Sequence, residues 1–500
     1  MNKSLDREEY LKRKSREIKI QRIKLFIQDY KRNKLGTLGI LIILTYVILG
    51  IFGPFISPVD PQRDMDLADR IVPPEWVSIF GGYYATLPPT IYFDLIKETQ
   101  NKKIEMYADP LFEVSFSDHK IVISRSSKIV NKTSGKITII KTFEYNYRAP
   151  RNFFIHLLAQ KNKGSYVTLK VYVTKPSGNR ILLWDSRKLN IYFNTLLEKG
   201  GLITIDTRDS YFIEWFADKY NVFPDPYIIS AVTLNETGKY KFILEFEIRN
   251  IAIDSKFNLT FEKLYLKILG LRYGILGTDN YGRDIFSQLV NAIWVSLTIG
   301  VIASLLSSSV SSFLGIIAVV YGGVIDEILM RLADIIMIIP RLPLLLVLMA
   351  VLHGDIWTVI ILLAVISAPS GARGIRSFVL TYINSPFVEA AKARGASTFR
   401  LITKHLFPPL LPIIYANVAY SAPAAITLEA ELSYLGIATD PYRMTWGKML
   451  SQAQTSGALS QWAWWWIMPP GLSLMLLSLA FVLIGHALDE IMNPRLKSIR

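Results

Sequence analysis

The sequence predicts an α-helical polytopic membrane protein with six transmembrane helices and N- and C-termini inside, interrupted by a large inserted extracellular all-β, sandwich-like domain. Three observations predict it. Of the 500 residues, 51% are hydrophobic, and they are gathered in long runs rather than spread as in a soluble chain. Several runs reach the roughly twenty residues that cross a bilayer. Between the first and second runs the pattern changes to alternating β-branched and aromatic residues, the mark of strands.

The net charge of +15 raises nucleic acid as a partner. The basic residues cluster beside apolar runs, however, which fits the positive-inside rule and membrane lipid better than a phosphate-binding face. The chain has no cysteine, so disulfides, thiolate metal sites and cysteine nucleophiles are excluded. Abundant Ile, Lys, Tyr and Arg without Cys points to a heat-adapted organism.

Residues 1–34 form a cytoplasmic basic segment in which Ile18, Ile20, Ile23 and Phe26 are placed to lie against the membrane. The basic stretch is too long for a signal peptide, and no small-residue cleavage site follows the apolar run. The first span occupies 35–57, and bases just before it hold the N-terminus inside. The inserted domain, 62–273, alternates at 120–124, 166–173 and 240–248, with a turn at Lys175-Pro176-Ser177-Gly178-Asn179. Eight or more strands in a sandwich are expected. N-x-Thr acceptors at Asn131, Asn235 and Asn258 support an exterior location.

The segment 274–500 opens with Gly277, Thr278, Asp279, Gly282, Arg283 and Asp284. Its glycine spacing imitates a P-loop, but Arg283 and Asp284 stand where Lys and Ser/Thr are required, so it reads as a turn that starts a span. Spans follow at about 288–321, 325–352, 356–372, 410–435 and 465–488. Arg331 and Asp334 near the inner end of the third read as a packed ion pair. Trp462, Trp464, Trp465 and Trp466 read as an interfacial aromatic belt rather than a sugar-stacking platform.

Between the fourth and fifth spans lies a polar, basic island, 385–408. Ser385 and Pro386 are a good helix start, and Glu389 falls in the first turn, where a carboxylate suits the helix dipole. Gly395 interrupts this helix. Ser397 then starts a second, in which Phe399, Ile402 and Leu406 share a face. Two short helices joined at a glycine make a knob that another protein can grip. Glu389, Ala390, Ala391, Gly395 and the closing Pro408 resemble the EAA loop of importer-type ABC transporter permeases. The Gly277–Ser287 stretch resembles the signature before the second span of dipeptide and oligopeptide permeases of the DppC/OppC type. Trp446-Gly447 and Asn493-Pro494-Arg495 are similar to further patterns of that family, the last with Asn493 in place of Asp.

The resemblance covers 1–60 loosely and 274–500 well, and says nothing of the insert, which is expected to help dock a binding protein or to shield the outer mouth. It implies a permease subunit forming half of a translocation path for oligopeptides or oligosaccharides. Its implied partners are a second homologous permease, two cytoplasmic ATPase subunits and an extracellular substrate-binding protein. ATP and Mg would sit on the ATPases, leaving no cofactor or metal in this chain. Glu389, Ala390, Ala391, Arg394, Gly395 and Pro408 would couple to the ATPase. Charges inside spans are costly, so Glu429 and Glu431, with Tyr434, are candidates for the path or gate. Glu429 alternatively pairs with a cation or caps a helix broken near Pro423. No histidine or serine set has catalytic spacing, which argues against an enzyme. A rival reading is a membrane-anchored receptor or adhesin whose β-domain binds glycan or protein.

Overall fold

The computed structural model describes residues 21, 24, 28–101, 103–117, 120–126, 132–251, 257–352, 354–437 and 443–492. Ile18, Ile20, Ile23 and Phe26, expected to lie on the membrane, Asn131, and the Asn493-Pro494-Arg495 tail fall outside that set. The chain divides into two compact units, one made of residues up to Arg63 and from Ile285 onward, the other of Asp64–Asp284.

The first unit is helical. Its elements are α1 (Lys34–Ile56), α2 (Ile285–Tyr321), α3 (Gly323–Ile338), α4 (Arg341–Leu352), α5 (Ile356–Ile383), α6 (Pro386–Ala393), α7 (Phe407–Tyr434), α8 (Trp446–Thr455) and α9 (Trp464–Met492). Five helices among the described residues are long and apolar enough to cross a membrane, counting Thr398–Tyr434 as one. The third expected span is not a straight helix: α3 and α4 meet at 90°. Pro340 causes the break, since its ring displaces a helical hydrogen bond and pushes Ile339 to extended backbone, ψ 127°. The fourth span runs on to Ile383, beyond the expected end at 372.

Helix α1 packs by glycines. Gly36, Gly39, Gly50 and Gly53 are buried along one stripe with Tyr46. A Cβ on Gly39 would stand 2.7 Å from the Ala480 carbonyl oxygen of α9, and one on Gly53 2.3 Å from Val290 of α2. Small residues permit such approach where apolar burial supplies no drive between lipid-bathed helices. Gly39→Leu is therefore expected to cost ~1–3 kcal/mol by overpacking, read as a lower melting temperature in detergent with membrane insertion unchanged.

The second unit is β-rich but not all-β. One sheet has the order β3-β4-β11-β6-β9, with β1 also on β11; the other has the order β2-β5-β10-β7-β8. The ranges are β1 Ile91–Asp94, β2 Glu105–Ala108, β3 Phe112–Ser117, β4 Lys120–Arg125, β5 Gly135–Tyr145, β6 Phe153–Lys161, β7 Tyr166–Thr174, β8 Arg180–Asp185, β9 Leu202–Asp206, β10 Gly238–Arg249 and β11 Asn258–Ile268. All pairings are antiparallel. Alternate residues of both sheets meet in one core, among them Ile121, Leu157, Val171, Phe246 and Leu266. The three expected strands appear as β4, β7 and β10. The 175–179 turn closes the β7–β8 hairpin, with Gly178 at φ 87° and Lys175 N donating to Asn179 O at 2.9 Å.

The helices here include Ser210–Tyr220, which an all-β reading overlooks. Asp209 caps it by accepting from Phe212 N at 2.9 Å, and Phe212 and Phe216, four apart, are both buried. That spacing was legible.

Paired carboxylates give this unit a pH dependence. Burial alone would raise the Glu245 carboxyl, but Lys136 at 3.0 Å and Arg180 at 2.6 Å outweigh it and hold it below the ordinary value of 4.5. Asp185, held low by Arg187 against its own burial, behaves alike. A depressed carboxyl stabilises the fold above its unfolded pKa and loses that contribution as pH falls. Asp69, raised by burial, works the other way. The sheet signal of the full-length protein is expected to melt earlier as pH drops below about 4.5.

Candidate functional site

The island between α5 and α7 is a firmly seated knob. Ser385 stands at the N-cap of α6 with extended backbone, but its hydroxyl does not cap; it donates to Tyr382 O at 2.6 Å. The cap is made by backbone, Val388 N and Glu389 N donating to Ser385 O at 3.0 and 3.1 Å. The helix closes as a Schellman motif. Gly395 N donates to Lys392 O at 2.9 Å and Ala396 N to Ala391 O at 3.1 Å, with Gly395 at φ 75°. Val388 and Ala391 are buried against Ile316, Ile375, Val379 and Leu410. Glu389, Ala390, Arg394, Gly395 and Pro408 are exposed.

The second half differs from expectation. Ser397 does cap, accepting from Arg400 N at 3.4 Å, and a helix starts at Thr398 as expected, but it does not remain a separate short one. Residues 398–400 pass through a π-helical stretch, Leu401–Leu406, directly into α7. Pro408, Pro409 and Pro412 lack the amides that α-helical bonding would need here, so a wider turn stands before them. That turn takes Phe399 and Leu406 off a common face: Phe399 is 76% exposed and Leu406 fully buried. With Phe387, also exposed, Phe399 gives the knob an apolar outer surface in place of the single shared face that the spacing predicts.

The in-span acids do not belong to this knob. Pro408 and Glu429 are separated by ~32 Å of helix at 1.5 Å per residue. Glu429 is buried at 1% exposure and accepts from Ser433 Oγ at 2.7 Å. Helix α7 is continuous through Pro423, so Glu429 caps no break. Glu431 is half-buried and Tyr434 exposed, and Glu431, two residues on from Glu429, does not share its helix face. Arg331 and Asp334 do not pair with each other. Arg331 bonds Glu327 at 2.6 Å, and Asp334 pairs with Arg373 of α5. Arg376 grips Asp326 through two bonds, 2.7 and 2.6 Å, so α3 is tied to α5 twice.

Trp446 is buried and donates through Nε1 to Leu289 O at 3.1 Å, and a Cβ on Gly447 would meet Ala430 O at 2.3 Å. Trp466 is a fully buried core residue and so belongs to neither belt nor platform, whereas Trp462 is exposed.

In the β-rich unit, Gly277–Asp284 forms a stitched loop rather than a simple turn. Gly277 and Gly282 have φ 72° and 68°, and Thr278 bridges to Asp284. Asp279 accepts from Tyr281 N and Arg283 N, and binds the Arg283 guanidinium at 2.7 and 2.6 Å. Thr278 Oγ1 donates to Asp69 O at 2.6 Å. Thr278, Asp279, Arg283 and Asp284 are all buried. Of the acceptor asparagines, Asn235 and Asn258 are exposed, Asn235 accepting from Lys175 Nζ at 2.8 Å. No group of three or more His, Asp or Glu that could hold a metal forms among the described residues.

The profile of the binding-protein-dependent transport system inner membrane component matches residues 311–498, and that of the N-terminal TM domain of oligopeptide transport permease C matches 22–74. A putative peptide transport system permease protein of Brucella suis is 34% identical over 49% of this chain and 81% of its own length. The dipeptide transport system permease protein DppC of Haemophilus influenzae is 35% identical over 45% of this chain and 75% of its own. A solved methionine ABC transporter, MetNI, in an inward-facing conformation aligns at 20% identity, covering 41% of this chain and 94% of that one, with a TM-score of 0.34. The chain belongs to the inner membrane components of binding-protein-dependent transport systems, as an oligopeptide-type ABC permease. It is a multi-pass protein of the plasma membrane, in a family of transporters rather than enzymes.

Proposed function

We propose that this chain forms half of the translocation path of an ABC importer for short peptides and is driven through the knob at 385–408. The observation that carries the reading is the two-sided build of that knob. Val388, Ala391 and Leu406 lock its inner side to α2, α5 and α7, while Glu389, Phe387 and Phe399 stand out on the other. Such a body transmits a push to the spans as rigid-body motion and needs no chemistry of its own. In this reading both termini and the knob are cytoplasmic, with Arg394, Arg400 and Lys404 on the positive side. The β-rich unit is extracellular, which the exposure of Asn235 and Asn258 supports. The partners are a second homologous permease, two ATPase subunits that carry ATP and Mg, and an extracellular substrate-binding protein.

Peptides rank above oligosaccharides as substrate because the similar proteins are named for peptide and dipeptide transport. Glu429, buried beside Ser433, is assigned to the path or gate. The test is co-purification of the ATPase with wild-type protein and with Phe399→Asp. Loss of the ATPase from a normally inserted variant is the expected result. Retention of both ATPase and peptide uptake would remove the knob from the mechanism. A receptor whose spans only anchor it leaves the exposed Phe387 and Phe399 unexplained.

A further inference from the structure

The solvent side of the six-stranded sheet holds an open cleft of about 460 Å³, within the ~300–1,000 Å³ usual for small-molecule sites. Strand register builds its floor. Tyr92, Lys267 and Phe154 stand opposite one another across β1, β11 and β6, and the next row holds Asp94, Tyr265 and His156. Residues two apart on a strand share a face, so both rows point the same way, while Leu266 and Ile155 between them enter the core. The Tyr265 and His156 rings stack at 4.7 Å, Phe154 meets His156 edge-on at 4.6 Å, and Tyr92 lies 5.2 Å from Tyr265. Asp66 contributes a wall, in a left-handed conformation at φ 53° that a non-glycine rarely adopts. Arg208 holds it there, its two terminal nitrogens at 2.5 and 3.1 Å from the carboxylate.

Charge indicates what the cleft lacks. Its acids each have a partner in contact: Asp66 has Arg208, which it shares with Asp206, Glu262 has Lys120 at 2.6 Å, and Asp94 has the amide of Lys97, with the Lys97 ammonium at 3.8 Å. Lys267 is different. It is half-buried, its ammonium lies 5.9 Å from the Phe154 ring, and no carboxylate comes within 4 Å of it among the described residues. Burial holds its pKa below the ordinary lysine value. Asp66 and Asp64 favour its charge, but from beyond ion-pair distance. A partly desolvated cation with no carboxylate in contact is costly, and a ligand's anion at hydrogen-bond distance relieves that cost. A neutral oligosaccharide would cover the rings but leave Lys267 without an anion in contact, and a bare inorganic anion would leave the rings uncovered.

We infer that this cleft binds a short peptide, with its C-terminal carboxylate on Lys267 and an apolar or aromatic side chain laid on Tyr92, Tyr265 and His156. The choice of peptide rests on the importer reading above; the cleft itself does not. The test is calorimetric titration of the full-length protein in lipid nanodiscs, without any binding protein, using the tripeptide Ala-Ala-Phe and its C-terminal amide. Saturable binding of the acid is expected, at least tenfold tighter than the amide, since a hydrogen bond between charged groups is lost. Lys267→Met is expected to reduce the acid to the affinity of the amide, and Lys267→Arg to keep most of the difference. Tyr92→Ala is expected to weaken both ligands. Unchanged melting of Lys267→Met excludes unfolding as the cause. Equal binding of acid and amide, no saturable binding of either, or saturable binding of maltohexaose instead would each overturn the inference. Peptide uptake by the assembled transporter, measured in parallel, separates the two readings: uptake without binding here removes the cleft and leaves the importer.

Discussion

Gly395→Pro in the assembled transporter is expected to abolish substrate-stimulated ATP hydrolysis while the chain still inserts normally. Gly395 sits at φ 75°, and its amide closes the end of α6 by donating to Lys392 O at 2.9 Å. Proline fixes φ near −65° and has no amide, so the substitution removes the bond and forbids the conformation, at ~3 kcal/mol or more. Gly395→Ala separates conformation from space. A Cβ there meets nothing within 4 Å, so only the left-handed backbone is penalised, by ~1–2 kcal/mol. Gly395→Asn, which tolerates that conformation, is expected to be mildest. Glu389→Ala completes the series. Glu389 is exposed, and substitution at such a surface position usually moves stability by less than ~0.5 kcal/mol. Loss of coupling in a fully stable Glu389→Ala protein would therefore report lost docking. Normal activity in all four variants would make this an ordinary surface helix.

Asp279→Ala is expected to lower the melting temperature more than any surface substitution in the β-rich unit. The carboxylate is fully buried, takes two backbone amides and pairs with Arg283. Removing one member of a buried pair leaves the other charge uncompensated and costs ~3–5 kcal/mol. The double variant Asp279→Asn with Arg283→Met is expected to recover part of the loss, because no lone charge remains. Gly282→Ala is expected to fail separately: besides φ 68°, its Cβ would stand 2.5 Å from Ala68 O. The measurement is thermal melting in detergent, followed by the sheet signal. Asp279→Ala melting together with the parent would show that water reaches the pair.

The spans, the strands at 120–124, 166–173 and 240–248, and the glycine at the end of α6 were legible because each rests on local rules. Bilayer thickness sets run length, the pleat sets alternation, and a helix end that needs positive φ selects glycine. The composition of runs and turns alone therefore determined that this is a membrane chain with a strand-rich insert and a polar knob. What only the tertiary structure decided depends on neighbours distant in sequence. Whether Asp334 meets Arg331 or Arg373 depends on how α3 lies against α5. Phe399 points outward and Leu406 inward because a π-turn, required by prolines downstream, shifts the helical phase between them. The cleft beside Lys267 exists only because antiparallel pairing sets residues 92, 154 and 267 in one row. Periodicity fixes which residues share a face of their own strand. Which strand comes to lie beside it is set by the register and burial of the whole sheet.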